Sequence, residues 1–106
     1  MPLTGSQKRH LRGLAHHLAP VVHVGKASVT EAVIAATSAA LADHELIKVR
    51  LPQLGREERG ELARSLGEAT DAQLAGITGR VALLYRRHPD EPKIALPRRG
   101  GAPDAT

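Results

Sequence analysis

A short β-rich run, Val21-Val22-His23-Val24, stops at Gly25, and a helical pattern opens at Val29-Thr30-Glu31. Branched side chains favour the pleated strand, and glycine then lets the chain turn. A strand that feeds a helix must bury one face under that helix, so this stretch commits the fold to a sheet covered by helices. The turn also carries chemistry. The first N–H groups of a helix have no partner within it and point outward from its start. The aligned peptide dipoles add partial positive charge there, which suits a phosphate. Lys26 sits in the turn, where its ammonium can reach the same anion. An ordinary βα turn would show the same residues, because a glycine followed by a Ser or Thr cap opens many helices.

The rest of the chain repeats the alternation. Thr4-Gly5-Ser6-Gln7 fits a capping box, and Leu11, Leu14, Ala15 and Leu18 recur at helical spacing as one apolar face. Lys8, Arg9, Arg12 and His16 lie off that stripe, giving the first helix a basic face. Pro20 ends it. A second helix is expected from about Val29 to Asp43, capped by Ser28 or, one turn later, by Thr30. Its buried stripe is Val33, Ile34, Thr37, Ala40 and Leu41. In the strand Leu46 to Leu51, Ile47, Val49 and Leu51 point one way, and Lys48 and Arg50 the other. A third helix from Arg56 to Thr70 buries Leu62, Ala63, Leu66 and Ala69, with Gly60 and Gly67 weakening it. A strand in Gln73 to Thr78 turns at Gly79-Arg80 into a strand from Val81 to Arg86. The segment from His88 is rich in Pro and Gly. Within it, Lys93 to Leu96 could add an edge strand, and the chain beyond Pro97 is expected to be loose.

This order, α-β-α-β-α-β-β, predicts one α/β or α+β domain with a four-stranded mixed sheet packed with helices. There is no cysteine in the 106 residues, which fits a reducing compartment. No apolar run is long enough to span a bilayer, and no secretory leader is expected at the N-terminus, so a cytoplasmic location follows. The net charge of +4 points to an acidic partner. Before Glu31 there is no acidic residue, and acids outnumber bases only between Glu31 and Asp71. The positive charge therefore belongs to the two ends and to the turn after Val24.

The six histidines (His10, His16, His17, His23, His44 and His88) form no H-E-x-x-H and no i, i+4 pair, so neither a metal nor another cofactor is expected. A histidine base in the first third of the chain would lack a nearby acid, which argues against an enzyme. Nucleic-acid binding survives, and composition narrows its mode. Sheet-surface binders stack bases on aromatic rings. Tyr85 is the only aromatic residue, and it shares a strand face with Val81 and Leu83, as a core residue would. Phosphates must then be held by backbone amides, Lys and Arg. That favours structured RNA or a duplex recognised by backbone shape. Two other readings are a DNA-binding regulator with the first helix in a groove, and a structural module that binds an acidic protein through its basic ends. Nothing in the chain looks like a helix-turn-helix pair.

The strings LTGSQKRHLRGLAHHLAPVVHVGKASVTEAV, HELIKVRL, ITGRVALLYR and KIALPR, in this order, resemble the stand-alone bacterial YhbY-like proteins of the CRM family (chloroplast RNA splicing and ribosome maturation). The resemblance runs from about Leu3 to Arg98. It implies a domain over residues 3–98, with 99–106 as a flexible tail, and a fold like the C-terminal domain of translation initiation factor three. It also implies binding of large-subunit ribosomal RNA or pre-ribosomal particles, and a role in assembling that subunit. The family's G-x-x-G loop maps onto Gly25, Lys26, Ala27 and Ser28. Here the last glycine is Ser28, which adds a Cβ and a hydroxyl where the backbone would approach phosphate. Lys8, Arg9 and Arg12 extend the expected RNA surface. Lys48, Arg50 and the Arg98-Arg99 tail are further candidates.

Overall fold

The computed structural model describes residues 3–25 and 29–96. Its elements are α1 (Gly5–Leu14), a short 3-10 turn (Ala15–His17), β1 (Pro20–His23), α2 (Glu31–His44), β2 (Leu46–Arg50), α3 (Arg56–Ala69), β3 (Gln73–Thr78) and β4 (Val81–Tyr85). The sheet runs β1-β2-β4-β3. β1 lies parallel to β2, and the other neighbours pair antiparallel. The architecture is the α+β arrangement expected from the element order.

Local chemistry sets the helix ends. The Gln7 N–H donates to Thr4 Oγ1 at 3.1 Å and the Thr4 N–H to Gln7 Oε1 at 2.9 Å, a complete capping box. Of the two candidate caps for α2, Thr30 serves: its Oγ1 accepts the Val33 N–H at 3.2 Å. Gly79 takes a φ of +58°, the left-handed conformation that a tight hairpin between β3 and β4 requires.

Alternate residues of the central strands face opposite ways, and helices cover both sides. Ile47, Val49, Leu51, Ala82 and Leu84 pack with Leu41 of α2 and with Leu62, Ala63 and Leu66 of α3. On the other side Leu46, Leu83, Tyr85 and Ala75 pack with Leu11 and Ala15 of α1. Arg86 ties the first layer together. Its guanidinium donates to the Ser38 hydroxyl, the Ser38 carbonyl and the Thr70 carbonyl at 2.8–3.0 Å.

Three expectations are corrected. Ala69 is exposed rather than part of the buried face of α3. Leu14 and Leu18 do not join the buried face of α1: they are 45% and 39% exposed. The helix tightens to a 3-10 turn after Leu14, which shifts the phase at Leu18, and both leucines lie with exposed Val21 on one apolar surface. Lys93 to Leu96 is not a strand. The segment is tied down by a side chain instead. Buried Glu45 accepts N–H bonds from His88 (2.7 Å), Lys93 (2.5 Å) and Ile94 (3.0 Å). Ile94 and Leu96 then pack against the α1-side core. A ladder needs a partner strand's alternating groups, and here one carboxylate takes that place. Residues 97–106, including Arg98 and Arg99, lie outside the described residues.

Candidate nucleic-acid interface

β1 delivers the loop. Its last ladder contact is the Val24 N–H donating to the Arg50 carbonyl at 2.9 Å, and exposed Gly25 follows at once. Lys26, Ala27 and Ser28, where the phosphate clamp is expected, lie outside the described residues.

Beside that end of the sheet, the α1 face carries a basic cleft. Lys48 and Arg50 share a strand face, and in the antiparallel ladder Lys48 stands opposite Leu83 and Arg50 opposite Val81. Arg12 and His16, one helical turn apart, close the cleft from above. The resulting cavity is about 320 Å³, and none of its lining residues is acidic. Lys48 is half-buried and Arg50 exposed, and both line the cleft. Unlike Arg86, whose guanidinium is committed to internal carbonyls, none of these cations has a carboxylate partner among the described residues.

The structure thus brings together Arg12, Lys48 and Arg50 of the expected set. Lys8 lies one turn before Arg12 on the same ridge, whereas Arg9 is exposed and lines neither this cleft nor the one beyond Lys8. His16 was not among the expected binding residues. Its i+4 spacing from Arg12 is the signal that places it there. The rings of His16 and His17 meet edge-on with centroids 5.4 Å apart. His17 turns instead to the apolar surface of Leu14, Leu18 and Val21. Among the described residues no group of His, Asp and Glu is arranged to hold a metal. Tyr85 is buried and unavailable for stacking.

Residues 3–86 match the CRS1 / YhbY (CRM) domain. The chain belongs to the CRM domain family. It is 39% identical over 95 residues to a Bacillus subtilis protein named "Probable RNA-binding protein YqeI", covering 90% of this chain and 99% of that one. A Haemophilus influenzae protein named "RNA-binding protein" is 41% identical over 97 residues, covering 92% and 97% of the two chains. The fold also matches the solution structure of SAV1595 from Staphylococcus aureus. The TM-score is 0.80 at 39% identity, over 90% of this chain and 99% of the other. In this CRM domain the cleft sits between α1 and the β1–β2 end, against the strand that leads to Gly25. No helix among the described residues is long and apolar enough to cross a membrane.

Proposed function

We propose that this CRM domain binds structured ribosomal RNA through its sugar-phosphate backbone and acts in assembly of the large ribosomal subunit. The observation that carries the reading is the acid-free convergence of Arg12, His16, Lys48 and Arg50 beside the strand that ends in Gly25. Backbone N–H groups at the start of a helix and unpaired Lys and Arg side chains are the donors that phosphate oxygens take. The sheet is helix-covered on both faces and its one aromatic ring is buried, so bases have nothing to stack on. Relatives named as RNA-binding proteins support RNA as the ligand class. The ribosomal assignment rests on the resemblance to the bacterial YhbY-like proteins.

The test is a salt titration of binding to a structured large-subunit RNA fragment and to matched duplex DNA. It compares wild type with Lys26→Glu, Lys48→Gln/Arg50→Gln and a control, Lys93→Gln, at the opposite end of β2. RNA should bind more tightly than DNA, and affinity should fall steeply with salt. Each removed phosphate contact should lower the slope of log K against log salt by about 0.7 to 0.9. Equal affinity for RNA and DNA, with the site variants behaving like Lys93→Gln, would reduce the cleft to a generic electrostatic patch.

A further inference from the structure

A second and larger groove, of about 880 Å³, runs along the free edge of β3. Lys8 and Arg12 of α1 stand on one bank, and Arg56, Arg59 and Arg64 of α3 on the other. Glu57 is the one acidic residue in its lining. The concentration of charge comes from helical phase. Along α3 the arginines turn to the groove, while Glu58 and Glu61 line a separate hollow with Val29 and Leu54. None of the five cations has a carboxylate partner among the described residues.

Arg12 belongs to both hollows. It can do so because Gly76 lies beneath it: a Cβ built at Gly76 would stand 3.4 Å from Arg12 Cδ and 3.6 Å from Nη1. The arginine lies flat across β3, and the basic surface is continuous from the Lys48–Arg50 cleft to the α3 bank. Two occupants have the right charge, a nucleic-acid backbone and an acidic peptide added to the edge strand. The register of β3 shifts between Leu74 and Gly76, in the floor of the groove. Such an irregularity breaks the alternation of N–H and C=O groups that an added strand needs. Phosphates need no such register.

We propose that the α1–α3 groove holds a second run of RNA sugar-phosphate backbone, continuous through Arg12 with the first cleft, an inference that rests on RNA binding at that cleft. The bound RNA follows the rim of the domain from the Gly25 end, under α1, to the outer edge of β3.

The experiment uses the full chain, with fluorescence anisotropy over a salt series and hydroxyl-radical footprinting of a structured large-subunit RNA fragment. The variants are Arg56→Gln/Arg64→Gln and, for the first cleft, Lys48→Gln/Arg50→Gln. Arg56 and Arg64 are exposed, so their loss should leave the circular dichroism unchanged, whereas half-buried Arg59 is kept. The α3 variant should weaken binding roughly tenfold or more near 0.1 M salt and lower the salt slope by about 1.4 to 1.8, the value for two contacts. It should erase one protected RNA segment and keep the other. An unchanged slope and a full footprint, with Lys48→Gln/Arg50→Gln still impaired, would overturn the groove and leave the first cleft standing. Loss of poly-L-glutamate binding with RNA binding intact would also overturn it, in favour of an acidic protein. No RNA binding by wild type would sink both readings together.

Discussion

Replacing Glu45 with glutamine should cost this domain more than any surface change. Glu45 is only 1% exposed, and its carboxylate is the anchor of residues 88–94, with Oε2 accepting from His88 and Oε1 from Lys93 and Ile94. Hydrogen bonds to a charged group are worth about 1.5–3 kcal/mol net, and a buried donor left facing another donor costs about 1–3 kcal/mol. Glutamine keeps one carbonyl oxygen for Lys93 and Ile94 but turns an NH₂ group on the His88 N–H. The expected loss is about 2–3 kcal/mol, and near 4–8 °C per kcal/mol the melting midpoint should drop by roughly 10 °C or more. Glu45→Gly is the informative partner. The residue sits at a φ of +63°, which glycine accepts freely and other residues adopt at a cost of about 1 kcal/mol or more. Glycine should therefore recover part of what losing the carboxylate removes. The pH dependence adds a second check. Burial opposes ionisation of Glu45, but the three N–H bonds and the nearby His88 outweigh it and hold its pKa below the ordinary carboxylate value. A lowered folded pKa gives stability that is complete above the ordinary value and fades as pH falls through the folded one. The gap between wild type and Glu45→Gln should thus close in acid. Thermal unfolding by circular dichroism, with hydrogen exchange of the His88, Lys93 and Ile94 amides, measures both. A midpoint within 2 °C of wild type at neutral pH, near 0.5 kcal/mol or less, and unchanged exchange of these amides would refute the reasoning.

Two further predictions concern packing. Tyr85 buries a hydroxyl that has no partner among the described residues. Burial, then the charge of Glu45, push its pKa up against the opposing pull of Arg87. The folded form therefore loses stability as pH rises above the ordinary tyrosine value, and Tyr85→Phe should match or exceed wild type by up to about 1 kcal/mol, with a flatter alkaline limb. The two glycines inside α3 should part company when changed to alanine. At Gly67 a Cβ would stand 3.2 Å from the Ala72 carbonyl oxygen, whereas at Gly60 it meets the movable end of Arg64 at 3.3 Å. Gly60→Ala should stabilise by about 0.5–1 kcal/mol through helix propensity, and Gly67→Ala should gain nothing or lose, as denaturant midpoints will show.

Much of the scaffold was legible because local and global signals agree. The Thr4–Gln7 box, the alternation in β2 and the Gly79 turn each dictate their own geometry, and the element order follows from them. The convergence of Arg12, Lys48 and Arg50 on one candidate cleft was legible where spacing and face coincide. The arginines of α3 were hidden because charge was read by stretch of chain. Between Glu31 and Asp71 acids outnumber bases, yet the helix separates Arg56, Arg59 and Arg64 from Glu58 and Glu61. Glu45 was hidden for a different reason. Its partners are the N–H groups of a segment more than forty residues away, and no pattern in the sequence announces a contact that distant. Exposed Leu18 shows a third limit, since a helix that tightens in its last turn changes which side chains share a face.

Within the sheet, β1 has a strand neighbour on one side only, and its last bond there joins the Val24 N–H to the Arg50 carbonyl. Mechanically that bond is the clamp at which the strand leaves the sheet one residue before Gly25, and Arg50 supplies both the clamp and a charge in the cleft. If RNA docks in the cleft as proposed, the Val24 amide proton, bonded to the backbone of a cleft residue, should report it by a change of chemical shift even when no atom of the ligand touches it.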